Sequence, residues 1–221
     1  MLRQVLCLYG CLGLAVALGQ PSGYLGYRTA IRVSASAFPA LGLRLREGPP
    51  LRFNVYGDLS VERIVTRRLS AEWTLGYYRT LSAYMLRDTM SYMRLRGWYT
   101  GPALLIYPLY RRGNIAPVGP YQRIGVYLNT THAQDLAHRF FPDGRSRLGT
   151  FGAISLAAMI GTQHVWRERI IWRIGLEAAW TLDTGALPED RQLAYLQATT
   201  ARRIRQLRGL SLVAGLGWLT H

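Results

Sequence analysis

The segment IIWRIGLEAAWTLD, Ile170 to Asp183, constrains the fold more than any other part of the chain. Ile170, Trp172, Ile174, Leu176, Ala178, Trp180 and Leu182 are all apolar, while Arg173, Gly175, Glu177, Thr181 and Asp183 fall between them. A helix would scatter these tryptophans and charges around its axis. A strand sorts them onto two faces, so period two fits and period 3.6 does not. The run is about twice the length of a typical globular strand. A bilayer-crossing strand, tilted by about 45°, needs roughly 9–11 residues. Trp172 and Trp180 share the apolar face. At about 3.3 Å per residue and a tilt near 40°, they stand roughly 20 Å apart along the membrane normal. Aromatic girdles at the two edges of a lipid-facing band have this separation, and Trp218 near the C-terminus is a third girdle candidate.

The alternation recurs. LRFNVYGDLSVER sets Phe53, Val55, Leu59 and Val61 against Asn54, Tyr56, Asp58, Ser60 and Glu62. LSAEWTLGYYR sets Leu69, Ala71, Trp73, Leu75 and Tyr77 against Ser70, Glu72, Thr74, Gly76 and Tyr78. YQRIGVYLN opposes Ile124, Val126 and Leu128 to Arg123, Gly125, Tyr127 and Asn129. AIRVSASA is a weaker first strand with Arg32, Ser34 and Ser36 on its polar face. GWYTGPALLIYPL and RLGTFGAISLAAMIGT are apolar on both sides, and GLSLVAGLGWL closes the chain. These make about eight strands.

Connections give an independent argument. Those after the second, fourth and sixth strands, Val65–Arg68, Tyr110–Pro117 and Trp166–Arg169, are expected to be short. Those after the third, fifth and seventh, Leu81–Ser91, Thr130–Arg147 and Thr184–Arg208, are expected to be long, and Phe38–Pro50 is intermediate. Short turns on one side and long loops on the other are the pattern of an outer-membrane barrel. A soluble β-sandwich also alternates, but its strands are shorter and its two inner faces share one core. The expected fold is therefore all-β: an eight-stranded antiparallel up-and-down transmembrane β-barrel over residues 29–221. Pro188 with Glu189 and Asp190 suits a helix start inside the last loop.

The first residues, MLRQVLCLYGCLGLAVALGQ, carry a charged Arg3, an apolar run from Val5 to Leu18 and a small-x-small site at Ala17 to Gly19. This is the pattern of a secretory signal peptide over residues 1–19, followed by a short lead over 20–28. Both cysteines, Cys7 and Cys11, fall inside it, so a mature chain would hold neither a disulfide scaffold nor a thiolate metal site.

The barrel register sends Arg32, Arg123 and Arg173 into the lumen together with Asp58, Glu62, Glu72 and Glu177. An eight-stranded lumen is just wide enough to be filled by side chains or to hold one small ligand. These charges could form an ion path or ligand site, but their near balance favours a mutually neutralising plug. Arg173 and Glu177 lie about 13 Å apart along one strand, so each needs partners elsewhere; Glu72 and Arg123 are the candidates. On that basis, removing Arg173 is expected to strand a buried carboxylate. His132, Asp135 and His138 cluster in a segment read as surface loop, without a spacing that fixes a metal; His164 and His221 are isolated. Ser155 and Ser211 lie in strands without a histidine nearby in sequence, and no phosphate-binding glycine loop or zinc spacing occurs. No catalytic, cofactor-binding or metal-binding residues are assigned, and no cofactor is expected.

Net charge is +15, and all 27 basic residues are arginine. They gather at both expected rims: Arg63, Arg67, Arg68, Arg111, Arg112, Arg167 and Arg169 at one, Arg145, Arg147, Arg202, Arg203 and Arg205 at the other. A nucleic-acid partner would want a continuous basic groove with exposed aromatics. Two collars around an apolar belt suit lipid phosphates, including those of lipopolysaccharide, through bidentate guanidinium contacts. Ordinary solvated strand ends would look the same.

The segments LSVER…LSAEWTLGYYR, GWYTGPALLIYPLYRR, IAPVGPYQRIGVYLN and LSLVAGLGW together resemble the small eight-stranded outer-membrane barrels common in Bacteroidota, similar in architecture to the OmpA and OmpX transmembrane domains. The resemblance runs from about Phe53 to the end and implies location in the cell outer membrane more than any chemistry. Such proteins tend to end on an aromatic residue, whereas this one ends Trp218-Leu219-Thr220-His221. Either Trp218 takes that role or the terminal signal is weaker. The expected function is a non-enzymatic barrel with a filled lumen, structural or binding a lipid or protein partner through its extracellular loops. The alternatives are an enzyme that modifies lipid A or phospholipid, and a narrow channel.

Overall fold

A computed structural model of the protein describes residues 27–39, 53–66, 68–86, 89–108, 118–135, 147–166, 169–183 and 210–220. Eight strands occupy them: β1 (Thr29–Pro39), β2 (Phe53–Thr66), β3 (Leu69–Leu86), β4 (Thr89–Ile106), β5 (Gly119–Asp135), β6 (Arg147–Trp166), β7 (Ile170–Asp183) and β8 (Ser211–Thr220). Each pairs antiparallel with its neighbours in sequence, and β1 pairs with β8, so the sheet closes on itself. Closure leaves no unpaired edge, which is the condition for a β-structure to cross a bilayer.

The two faces separate as period two requires. Ile31, Val33, Val55, Leu59, Val61, Leu75, Ile124, Leu128, Ile160, Ile174 and Leu176 all point outward and are exposed. A water-soluble protein rarely shows so continuous an apolar surface; here it is the belt that meets acyl chains. Trp166, Ile170 and Trp218 are cross-strand neighbours near the end where β2–β3 and β6–β7 connect, and Trp172 lies beside them, its ring stacked on His164 at 4.7 Å. Tyr77, Trp98 and Trp180 mark the opposite edge of the belt. Trp73 sits between the two girdles, and its indole Nε1 donates to Thr100 Oγ1 at 3.0 Å. That bond satisfies a donor that acyl chains could not.

The connections differ from expectation in three places. Strand β3 continues to Leu86 and β4 begins at Thr89, so the expected loop 81–91 is mostly ladder, paired from Leu81↔Arg94 to Leu86↔Thr89. Strand β5 continues to Asp135, which puts His132 and Asp135 on a strand and leaves only 136–146 between β5 and β6. Conversely, 107–118 separates β4 from β5, a longer connection than the one between β3 and β4 at the loop end. Backbone pairing does not need lipid, so strands run on past the belt. The signal peptide over 1–19, the proposed helix within 184–208, His138 and His221 lie outside the described residues, as do Arg67, Arg111, Arg112, Arg145, Arg167, Arg202, Arg203 and Arg205 of the expected rims.

The assignment of faces on β7 is directly testable. Leu176 is 46% exposed and Arg173 only 4%. An arginine at position 176 should cost about 2–4 kcal/mol if that position faces mid-bilayer lipid. A cysteine at 176 should react with a lipid-soluble probe and resist a water-soluble reagent. Labelling of position 173 by the lipid probe, with 176 refusing it, would reverse the register.

Candidate functional site: the charged lumen

Six of the seven lumen residues read from the sequence meet in one network. Arg32 from β1, Glu62 from β2, Glu72 from β3, Arg123 from β5, and Arg173 and Glu177 from β7 converge because each occupies an inward position of its strand. Glu72 is the hub. Its Oε2 accepts from Arg32 Nη1 at 2.7 Å and Arg173 Nη2 at 2.6 Å, and its Oε1 accepts from Arg123 Nε at 2.8 Å and Thr74 Oγ1 at 3.2 Å. Arg32 also pairs with Glu62 through Nη2, and Arg123 Nη1 donates to Glu177 Oε2 at 2.9 Å. Arg173 thus pairs with Glu72, and Glu177 with Arg123.

Three guanidinium groups face three glutamates, so the network is neutral in itself. Arg32 and Glu62 are both 0% exposed. Charges removed from water this completely persist only when paired and hydrogen-bonded. Arg32 bonds through both Nη1 and Nη2, whereas its Nε and the Nε and Nη1 of Arg173 are buried without a hydrogen-bond partner among the described residues. Asp58 stands apart. It is only partly buried, accepts from the Tyr99 hydroxyl at 3.0 Å, and makes no ion pair with a described residue.

Gln163 and Tyr107, which the sequence did not single out, extend the network, and Asn129 with Ser155 adds a separate polar contact. Gln163 Nε2 donates to the Tyr107 hydroxyl at 2.8 Å, which in turn donates to Glu62 Oε1 at 3.3 Å; Gln163 Oε1 accepts from Arg32 Nη2 at 3.3 Å. Asn129 Nδ2 donates to Ser155 Oγ at 2.7 Å. Tyr99 and Tyr107 stand eight residues apart, on one face by period two, and that shared parity was the signal available in a segment that reads as apolar on both sides. Tyr56, Tyr78, Tyr99 and Tyr127 come from four successive strands and touch in series, with Tyr56–Tyr78 and Tyr99–Tyr127 both edge-to-face at 5.7 Å.

Apolar side chains complete the filling. Ala30, Ile64, Ile171 and Leu219 form a buried cluster at the end carrying the β2–β3 and β6–β7 turns, with Tyr27, Val118 and Val165 against it. Leu105, Tyr107, Tyr121, Met159 and Val213 form another. Among the described residues, a small cavity lies between Ser34, Asp58, Tyr99, Arg123, Met159, Arg173, Glu177 and Val213. That holds about one water.

The remaining titratable candidates are dispersed. His132 lies on the outer face of β5, its Nδ1 2.8 Å from Thr150 Oγ1. His164 is exposed and lies 3.0 Å from Thr162 Oγ1 through Nε2. Ser211 Oγ approaches the Glu177 carbonyl at 3.5 Å. Among the described residues, no group of three His, Cys, Asp or Glu side chains is placed to hold a metal.

No protein-family model matches the sequence, and no curated protein matches it either. Solved structures do match in fold. Ail, the attachment invasion locus protein of Yersinia pestis, solved in complex with the heparin analogue sucrose octasulfate, gives a TM-score of 0.50 at 9% identity, covering 88% of this chain and 99% of that one. Neisserial surface protein A gives 0.49 at 10% identity over 91% and 100%. The N-terminal β-barrel domain of Pseudomonas aeruginosa OprF gives 0.44 at 10% identity over 88% and 98%. The chain is a small eight-stranded membrane β-barrel. At these identities the likeness is one of fold.

Proposed function

We propose that the protein is an integral outer-membrane barrel that carries no solute through its lumen and acts from its outer surface and loops, either structurally or by binding a lipid or protein partner. The observation that carries this reading is the Glu72 hub. Arginines from β1, β5 and β7 meet on one carboxylate of β3, so ion pairs span the cross-section from wall to wall. The apolar cluster around Ile171 and Ile64 supports it by filling the lumen at the turn end. A placement with the Bacteroidota barrels rests on the sequence segments that resemble them.

An enzymatic reading would need a hydroxyl nucleophile beside a base. Ser155 is instead engaged by Asn129, and Ser211 is directed to a backbone carbonyl. Purified protein in a planar bilayer should therefore show no steady large-conductance opening, and incubation with lipid A or phospholipid should release no acyl chain. Porin-sized current steps would overturn the sealed-lumen reading, and acyl release would move the protein to the enzyme class.

A further inference from the structure

Outside the barrel, the described charged side chains are of one kind. Asp58, Glu62, Glu72 and Glu177 face the lumen, whereas Arg28, Arg63, Arg68, Arg79, Arg96 and Arg169 are exposed. Three arginines gather on the β3–β4 wall at the loop end. Arg79 is the direct cross-strand partner of Arg96, and Arg94 follows two residues along on the same side of β4. Arg96 is in turn opposite His132 on β5. One step closer to the apolar belt, the Tyr77 and Trp98 rings pack at 4.8 Å. The arginines therefore begin about 5 Å beyond the aromatic girdle, at the depth of lipid headgroups.

Two like charges placed directly opposite on adjoining strands destabilise a sheet. None of the four lumen carboxylates Asp58, Glu62, Glu72 and Glu177 pairs with Arg79, Arg94 or Arg96. An anion that accepts from both forks removes the repulsion. A phosphomonoester has three free oxygens and close to two negative charges, enough for two guanidinium groups at once; a phosphodiester has two free oxygens and one charge. We propose that the outer face of β3–β5, centred on Arg79 and Arg96 and flanked by Arg94 and His132, binds a phosphomonoester of an outer-leaflet glycolipid of the lipid A type. The inference rests on the outer-membrane reading above, which sets this end toward the cell exterior. Placement beside a lipid-facing girdle favours a ligand that is itself anchored in the membrane.

The test uses the full protein in detergent micelles, titrated with diphosphoryl lipid A, with the same lipid stripped of its phosphates, and with phosphatidylglycerol, counting bound lipid by native mass spectrometry. Diphosphoryl lipid A should bind at least about tenfold more tightly than the stripped lipid or phosphatidylglycerol. The double substitution R79Q/R96Q should abolish that preference, and R28Q/R63Q, at the other rim, should leave it intact. A gel-mobility shift on boiling reports that each variant is folded. Phosphatidylglycerol binding as tightly as diphosphoryl lipid A, or a folded R79Q/R96Q protein that keeps the preference, overturns this site alone. A wild-type protein that stays soluble and monomeric without detergent overturns the membrane reading, and the site with it.

Discussion

Replacing Glu72 with Ala should cost more stability than any other single substitution in the lumen. Its carboxylate accepts from Arg32, Arg123 and Arg173, and all three guanidinium groups lie in a barrel almost closed to water. Removal leaves three cations facing two glutamates, and Arg173 loses its ion pair. Breaking a buried pair from one side costs about 3–5 kcal/mol, and this change touches three pairs together. The loss should be read by urea unfolding in lipid vesicles, followed through tryptophan fluorescence. Arg173→Ala is the informative contrast. The sequence suggested that losing Arg173 would strand a buried carboxylate, but Glu72 keeps Arg32 and Arg123, so the cost should fall to about 1–3 kcal/mol. If Arg173→Ala proves as damaging as Glu72→Ala, the hub is misassigned.

This contrast also marks how far the sequence could be read. Alternation along β2, β3, β5 and β7 assigned the faces, because lipid on one side and a narrow lumen on the other force opposite chemistries at successive residues. That constraint holds only within the bilayer. Beyond the girdle no lipid demands apolar side chains on the outer face, the sequence alternation weakens, and Leu81–Leu86 and His132–Asp135 read as loop although their backbone pairing continues. Within the lumen, parity identified the charged residues but not their pairing. Which guanidinium reaches Glu72 depends on strand stagger and on how side chains cross the barrel, and neither leaves a trace in one strand's pattern. Arg32 and Arg173 lie on strands that are not neighbours of β3, yet both reach its hub.

Gly101→Ala should rank with the hub substitutions, at about 3 kcal/mol, for a reason of space rather than charge. A Cβ at Gly101 would fall 2.0 Å from the Val126 carbonyl oxygen of β5, and backbone cannot swing aside as a side chain can. The approach belongs to the Gly101-Pro102 pair. The β4–β5 ladder runs through Thr100↔Leu128 and resumes at Ala103↔Gly125, leaving the two residues between them unpaired on that side. Proline has no N–H to give a ladder, and glycine beside it lets the β5 backbone close in. Gly76→Ala meets a different obstacle. Its Cβ would sit 2.1 Å from the Tyr99 ring, near the phenol end, so the ring can turn away, losing its bond to Asp58. The cost should be about 1 kcal/mol. Gly152, with nothing within 4 Å of the added carbon, should accept alanine without loss. The order Gly101, Gly76, Gly152 follows from one property, the closeness of wall to wall and wall to filling in a lumen already occupied. Equal stability for all three alanine variants would mean a wider and looser barrel, and the ion pairs around Glu72 would then no longer span it.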